Sequence, residues 1–400
     1  MKEGGAEIFF SHEAGVFGTS CNSSERGKPM ADARRRQPDF LLFLAVMGLV
    51  TLGIIMVYSA SQYMAADSDI NDSFYFLKKQ CLWAAIGTAV MLLMIRLDLR
   101  FLKKLAWPGL ITAVGFLLLV KLGAGVASLG AERTLSLGPI HFQPSEFAKL
   151  ALVLFFAYNM NRQRDRMDTF LWGFLPQIAV CGLLTGLIML QPDLGTSVAL
   201  VGTAFLMMMA GGVKYRYLIS MILFGVILVA AAIWLEPFRM ARFTAFLDPW
   251  ADAQGYGFQT VQSLIAIGSG GITGVGLGNG SSKWYYLPEV HTDFIFALIG
   301  EELGLIGTVF TVFLFAVFVW RGIRIAVHSE DSFQSLLALG LTAMIGVQTL
   351  INVFVASGMM PVTGIALPFI SYGGSSLVFT MMAVGVLLNL STRLPKGEIG

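Results

Sequence analysis

Residues 293–320 read DFIFALIGEELGLIGTVFTVFLFAVFVW, a long apolar stretch that follows a single aspartate. Beyond Asp293, its only charged residues are Glu301 and Glu302. A helix needs about 20 apolar residues to cross a bilayer, so this stretch predicts a spanning helix with Asp293 at its polar end. The two glutamates would lie well inside the bilayer, where they must be paired, protonated or exposed to a polar cavity.

The composition of the whole chain is that of a polytopic membrane protein. Of its 400 residues, 56% are hydrophobic and 13% are charged, whereas soluble domains have about 45–50% and about 25%. The formal net charge of +2 gives no indication of a nucleic-acid partner. The three cysteines are too few and too scattered for a disulfide framework or a thiolate metal site.

The apolar stretches predict an all-α fold with about ten transmembrane helices. A polar, disordered tail over residues 1–38 would precede the membrane domain at 39–392, and a short tail at 393–400 would follow it. The predicted spans are residues 40–60, 80–96, 102–121, 145–161, 170–190, 195–212, 216–235, 293–320, 334–356 and 376–392.

The connections between these spans alternate in charge. Every second one is rich in Lys and Arg, and the positive-inside rule places such connections in the cytoplasm. Both termini would then be cytoplasmic, and function is expected at the opposite, exterior face. The exterior connections would be residues 61–79, 122–144, 191–194, 236–292 and 357–375.

The largest exterior connection, 236–292, leads directly to Asp293. Within it, residues 258–267 carry apolar side chains at helical spacing, which predicts a short amphipathic or re-entrant helix. Residues 268–280 hold seven glycines. That density suits either a phosphate-binding nest or a flexible or tightly packed loop, because glycine lets the backbone turn sharply and approach other groups closely.

Five segments together resemble the signature segments of the SEDS family (shape, elongation, division and sporulation). They occur in unbroken order on a frame of about ten helices, over about residues 40–392, and 283–289 resembles the cell-division branch more than the elongation branch. The segments are residues 143–149 (QPSEFAK), 191–196 (QPDLGT), 257–271, 287–302 and 370–376 (ISYGGSS).

This resemblance implies a peptidoglycan polymerase in the bacterial cytoplasmic (inner) membrane, acting at the division septum. Such an enzyme is an inverting glycosyltransferase that uses lipid II, a disaccharide-pentapeptide on undecaprenyl diphosphate, and extends glycan strands on the exterior face. The implied partners are a class B penicillin-binding protein that crosslinks the new glycan, and other division proteins.

The resemblance also makes Asp293 the catalytic residue. Joining a sugar hydroxyl to an anomeric carbon requires a base for the hydroxyl proton, and an inverting displacement needs no second carboxylate as nucleophile. The alternative is that Asp293 caps the helix that it precedes. Glu289 is either a residue that orients the site or an ordinary loop residue.

No cofactor is required by the sequence, although a divalent cation such as Mg²⁺ or Mn²⁺ is one option. His291 lies two residues from Asp293 and could form a metal site with it. The alternative is a hydrogen-bonding loop histidine, and no other metal site is predicted.

The leaving diphosphate needs cationic or polar ligands, and the resemblance implies Lys149 as one of them. Lys149 lies about one turn into its span, so its alternative role is to extend its ammonium to the membrane surface. For Arg239 and Arg242 the alternative is interfacial anchoring. The full set of predicted substrate ligands is Lys149, Arg133, Lys283, Arg239, Arg242 and Ser371, together with Glu289 and His291.

Small residues form a stripe beneath Asp293. In an ideal helix, Ala297, Gly300, Gly304 and Gly307 lie within about 40° of the Asp293 direction. Such a stripe indicates either close helix packing or a groove that receives the polyprenyl chain of the substrate.

Two other classes of function are compatible with the sequence. A lipid II flippase or transporter would account for Glu301 and Glu302 inside the bilayer, because carriers place ionisable residues near the midplane. A scaffold that only recruits division proteins is the third hypothesis.

Overall fold

The computed structural model describes residues 37–67, 72–128, 131–137, 140–283 and 290–394. Most of the predicted tails, 1–36 and 395–400, therefore lies outside the described residues. Within the described ranges the chain forms twelve α-helices: α1 (Phe40–Asp67), α2 (Tyr75–Arg96), α3 (Leu99–Leu119), α4 (Pro144–Arg162), α5 (Leu175–Met189), α6 (Leu194–Ala210), α7 (Tyr215–Leu235), α8 (Pro237–Leu247), α9 (Phe258–Gly270), α10 (Ile295–Val327), α11 (Ser332–Ala356) and α12 (Gly374–Ser391).

The predicted all-α membrane fold is confirmed. Each of the ten predicted spans contains one helix, namely α1 to α7 and α10 to α12. In the described part of the chain, eight helices are long and apolar enough to cross a membrane. Helix α6 is apolar but shorter, and α4 carries the buried ionic residues Glu146 and Lys149.

The exterior connection before α4 contains a small sheet that the sequence patterns did not predict. Strands β1 (Gly125–Ser128), β2 (Ala131–Leu137) and β3 (Ile140–Phe142) pair antiparallel in the order β1-β2-β3. The Phe142 ring contacts those of Phe116 at 5.2 Å and Phe379 at 5.6 Å. The sheet therefore ends against α3 and α12.

The predicted exterior connections meet at one end of the bundle. The Phe76 ring contacts those of His291 and Tyr372, with centroids 5.6 and 5.1 Å apart. The Gln143 amide donates to Ser375 Oγ at 3.3 Å. These contacts join segments 61–79, 122–144, 236–292 and 357–375, as expected for connections on one side of a membrane.

The basic connections meet at the opposite end. Arg321 forms an ion pair of 2.7 Å with Asp39, just before α1. Lys103 pairs with Asp331 at 2.9 Å. The Asn389 amide donates to the carbonyls of Met94 and Leu97. The ends of α1, α2, α3, α10, α11 and α12 are thereby linked on that face.

Helix α9 and residues 271–283 fold back along α10, and we call them together the re-entrant arm. On one side, Ser263 Oγ donates to the Ala356 carbonyl at 2.6 Å. On the other side, α10 is interrupted at Gly304, whose backbone (φ 67°, ψ −161°) is not helical. The predicted short helix is confirmed, and it packs against α10 and α11 within the bundle.

The interruption frees backbone groups of α10, and the re-entrant arm bonds to them. The amides of Val275 and Gly276 each donate to α10 at 3.0 Å, to the carbonyls of Glu301 and Glu302 respectively. A Cβ on Gly274 (φ 80°) would overlap the Glu302 carbonyl. Of the roles considered for the glycine-rich segment, tight packing is the one that the structure supports.

Both glutamates of α10 are hydrogen-bonded inside the bundle, about 9 Å below the start of the helix at 1.5 Å per residue. Glu301 accepts from the amide of Ser281 at 2.6 Å and from Ser282. Glu302 accepts from Ser59 Oγ at 2.7 Å and lies 3.3 Å from Lys283 Nζ. Of the three options left open for these carboxylates, pairing holds for Glu302, which has Lys283 as its cation, whereas Glu301 accepts hydrogen bonds from serines.

The small-residue stripe on α10 is a packing surface. A Cβ on Gly300 would lie 3.1 Å from Ile267 of α9, and one on Gly304 would overlap Gly274 and Ile272. The hypothesis of a polyprenyl groove along this stripe is wrong, because the re-entrant arm covers it. The helical arithmetic also fails beyond Gly304, because α10 is interrupted there.

We predict that Gly304→Ala destabilises the protein by at least about 1–3 kcal/mol, because a side chain in this backbone region is strained and the new Cβ has no space. Thermal unfolding in detergent measures the effect. Gly115→Ala is the matched control: Gly115 lies inside α3 with no atom within 4 Å of an added Cβ, so its melting temperature should be unchanged or slightly higher. Equal melting temperatures for the two variants would contradict the prediction.

Candidate active site

Asp293 lies in a turn immediately before α10. The helix begins at Ile295 with Phe294 at its N-cap position, so the hypothesis that Asp293 is the helix cap is wrong. A Cβ built on Gly364 would lie 3.5 Å from Asp293 Oδ2. The carboxylate therefore faces the backbone of the 357–373 connection at a half-buried position.

The backbone of Asp293 is held by an amide from α11. Asn352 Nδ2 donates to the carbonyls of Asp293 and Ile365, at 2.8 Å in each case. Asn352 itself is buried. One side chain thus ties the turn that carries the carboxylate to the loop segment that the carboxylate faces.

Ser371 reinforces the same arrangement. Its hydroxyl donates to the Thr292 carbonyl and accepts from the Leu367 amide, and the neighbouring Tyr372 amide donates to the His291 carbonyl at 2.9 Å. In this structure Ser371, predicted as a substrate ligand, makes its hydrogen bonds to the backbone. It positions the residues next to Asp293.

Lys149 is buried and does not extend to the membrane surface. Its side chain is 3% exposed, and its Nζ lies 2.9 Å from Glu146 Oε1. It also donates to Gln348 Oε1, and Gln348 Nε2 donates to the Ala366 carbonyl at 2.9 Å. The surface-extension hypothesis for Lys149 is therefore wrong, and the lysine is connected to the loop that Asp293 faces.

Gln348 and Asn352 were not among the predicted site residues. They lie one turn apart on α11, on the same face of the helix, and hold the successive carbonyls of Ala366 and Ile365. The sequence did hold a signal for them as site residues, namely two amide side chains four residues apart in an apolar helix. Polar side chains within a span are costly and usually functional.

His291 belongs to an aromatic cluster beside Asp293. Its ring is 5.9 Å from that of Tyr372 and 5.6 Å from that of Phe76. Burial, and secondarily the nearby Tyr75, raises the pKa of Tyr372 to about 12, so its phenol is protonated at neutral pH. No group of three or more metal-ligating side chains occurs in the described ranges.

The other predicted ligands have different surroundings or lie outside the described residues. The Lys283 side chain is fully buried and paired with Glu302. On α8, Arg239 and Arg242 are half-buried, and the Arg242 guanidinium lies 4.5 Å from the Phe238 ring centroid. Arg133 belongs to β2. The side chain of Arg133 and all of Glu289 lie outside the described residues.

A family model for cell cycle proteins, which covers FtsW, RodA and SpoVE, matches residues 39–396. The chain belongs to the FtsW/RodA/SpoVE family. The resemblance to the SEDS family is confirmed, and the five motif segments all fall within the matched range.

Two named relatives match this chain over most of their own length. A probable peptidoglycan glycosyltransferase FtsW from Geobacter metallireducens is 41% identical over 357 residues, covering 89% of this chain and 95% of the relative. Stage V sporulation protein E from Bacillus subtilis is 42% identical over 361 residues, covering 90% and 98%.

Two solved structures of related proteins have the same fold. One, described as "Structural coordination of polymerization and crosslinking by a peptidoglycan synthase complex", matches with a TM-score of 0.73 at 31% identity over 88% of this chain and 97% of that chain. RodA from Thermus thermophilus matches with a TM-score of 0.66 at 29% identity, over 88% and 96%.

We predict that Lys149→Met destabilises this family member by about 3–5 kcal/mol, because it leaves the buried Glu146 carboxylate without its cation. The double variant Glu146→Gln/Lys149→Met should recover most of the loss. Melting temperature and the folded fraction on size-exclusion chromatography measure both effects.

Lys103→Met is the matched control for this prediction. Its pair with Asp331 is about one-third exposed on each side, so its loss should cost only about 0–1 kcal/mol. A Lys149→Met variant as stable as Lys103→Met would show that the buried pair does not hold the site together.

Proposed function

We propose that this chain is a peptidoglycan glycosyltransferase of the cell-division branch, which polymerises lipid II by inverting transfer at the exterior face of the inner membrane. The observation that carries the proposal is the Asp293 carboxylate, which faces Gly364 while Asn352 holds the backbone carbonyl of the same residue. It occurs in a chain that is 41% identical to a protein named a probable peptidoglycan glycosyltransferase.

Asp293 acts as the general base in this proposal. It takes the proton of the acceptor 4-hydroxyl as that oxygen bonds to the anomeric carbon of the donor. The bond from the anomeric carbon to the diphosphate breaks at the same time, and undecaprenyl diphosphate leaves with the electron pair. An aspartate of ordinary pKa, about 3.9, can serve because proton removal accompanies glycosyl transfer.

Lys149 acts as a positioning residue in the proposed mechanism. Its ammonium bonds to Glu146 and Gln348, and Gln348 holds Ala366 two residues from Gly364. Through this path the lysine supports the surface that Asp293 faces. Arg239 and Arg242, on the half-buried α8, are the proposed attraction for the anionic headgroup, together with Arg133.

The chain is a multi-pass membrane protein whose family acts in the cell cycle. We propose a septal location with both termini in the cytoplasm, which is supported by the clustering of basic connections at one end of the bundle. A neighbour of the same fold belongs to a peptidoglycan synthase complex. We therefore propose a class B penicillin-binding protein as partner, with other division proteins.

No carrier function is proposed. Glu301 and Glu302 were the features that favoured a flippase, and each has another explanation: they bond to Ser281, Ser282, Ser59 and Lys283 and so hold the re-entrant arm against α10. Because the carboxylates of Glu301 and Glu302 already have these hydrogen-bonding partners, the structure supports an anchoring role for them over a place on a transport path.

We predict that Asp293→Asn lowers the rate of lipid II polymerisation by at least about 10²-fold, the usual contribution of a general base, without lowering the melting temperature. The measurement is glycan formation from purified lipid II by the purified protein, alone and with a class B penicillin-binding protein. Asp248→Asn, an exposed acid in the same exterior connection, is the control and should retain the wild-type rate.

Three outcomes would contradict the proposal. A fully active Asp293→Asn variant would exclude the base. Wild-type protein that moves lipid II between leaflets of vesicles without making glycan would favour the flippase hypothesis. Normal growth of cells that carry only Asp293→Ala would favour the scaffold.

A further inference from the structure

A cavity lies at the end of α4 that is opposite to Lys149. Asn159 lies ten residues beyond Lys149, about 15 Å along the helix axis, near the basic connections. The cavity has a volume of about 520 Å³ and is formed between α3, the end of α4 and the start of α5. It is separate from the Asp293 site and has no role in the mechanism above.

The charged groups of this cavity favour a monoanion. Its lining includes Arg162 and Arg166, with Asp165 as its one acidic residue, so these three side chains carry a net charge of +1. Among the described residues, neither guanidinium has an ion-pair partner within 4.0 Å. Arginine is the residue best suited to binding a phosphate through two parallel hydrogen bonds.

A buried amide in the cavity lining also lacks a partner. Asn159 is 7% exposed, and its Oδ1 accepts from Gln163 at 3.4 Å. Its Nδ2 has no hydrogen-bond partner within the described part of the chain. A buried donor without a partner is destabilising, so this donor indicates a ligand that accepts a hydrogen bond.

Two tryptophans place the cavity at the membrane interface. Trp107 and Trp172 line it, each about half exposed, and tryptophan is enriched at the level of lipid headgroups. The Arg166 guanidinium lies 5.7 Å from the Trp172 ring centroid. A ligand held here would have its charged group at the arginines and an apolar part beside the indole rings.

We infer that this cavity binds the headgroup of an anionic phospholipid of the leaflet next to the basic connections. The phosphodiester accepts from Arg162, Arg166 and Asn159 Nδ2, and the glycerol backbone lies between the two tryptophans. Basic pockets between transmembrane helices on the cytoplasmic side bind anionic headgroups by the same physical means. The net charge of +1 matches the single charge of phosphatidylglycerol.

The test uses the full-length protein in nanodiscs that contain equal amounts of phosphatidylglycerol and phosphatidylcholine. Native mass spectrometry after release measures which lipid is retained. Arg162→Gln/Arg166→Gln should lower the preference for phosphatidylglycerol by roughly 25-fold, since an arginine near a lipid surface contributes about fivefold. Asn159→Leu, which keeps the branched shape of the side chain and removes the donor, should lower it severalfold.

Arg164→Gln is the matched control, because Arg164 lies in the same short 3₁₀ turn, Arg164–Arg166, but does not line the cavity. It should retain the wild-type preference. A second measurement compares melting temperatures with added phosphatidylglycerol, phosphatidylethanolamine or inorganic phosphate. It distinguishes a lipid headgroup from free phosphate, and only phosphatidylglycerol should raise the melting temperature of the wild-type protein.

The inference is overturned if wild-type protein retains the two nanodisc lipids equally, or if Arg164→Gln loses as much preference as the double variant. Stabilisation by inorganic phosphate alone would show a free anion site in place of a lipid site. A preference for phosphatidylethanolamine would show that Asp165 and not the arginines selects the headgroup.

Discussion

Inside a bilayer every backbone N–H and C=O group needs a partner within the protein, and the break in α10 makes this the controlling constraint here. At Gly304 the helix loses its continuous hydrogen bonding, and the re-entrant arm supplies donors and acceptors in its place. Glu301 and Glu302 add charged acceptors at the same level. The arm and the helix therefore depend on each other, and neither arrangement is satisfied alone.

The side-chain bonds of Glu301 and Glu302 fix the register of the re-entrant arm against α10. Glu301 bonds to two serines of the arm, whereas Glu302 bonds to Ser59 of α1 and to Lys283. A shift of the arm by one residue would leave a buried carboxylate without its donors, at a cost of several kcal/mol. The start of α10 is thereby fixed, and the position of Asp293, directly before it, is fixed as well.

The sequence was sufficient for the ten helices of the predicted spans and for the place of Asp293 directly before α10, and it was insufficient for the pairing of the other charged residues. Ten helices follow from apolar length alone, because the bilayer imposes that length. The break at Gly304 is invisible in an apolar pattern that continues on both sides. Lys149 and Lys283 were predicted to meet substrate. The i,i+3 spacing of Glu146 and Lys149 was a local signal of their pairing, whereas nothing local in the sequence reveals that Glu302 pairs with Lys283.

These two lysines indicate that buried and exposed cationic residues have different roles in this protein. A buried ammonium without a partner is too costly to be kept ready for a substrate, so a lysine placed at this depth is paired in the fold and shapes the site through its partners. Cations that attract a charged headgroup have to remain near water, and the half-buried Arg239 and Arg242, proposed for that role, meet this condition. The same reasoning applies at the other end of the bundle: Arg162 and Arg166 are exposed enough to stay charged without a partner, while the buried Asn159 beside them is neutral. Burial thus decides which charged residues must be paired within the fold, whereas a neutral amide such as Asn159 can be buried and still be proposed to meet a ligand.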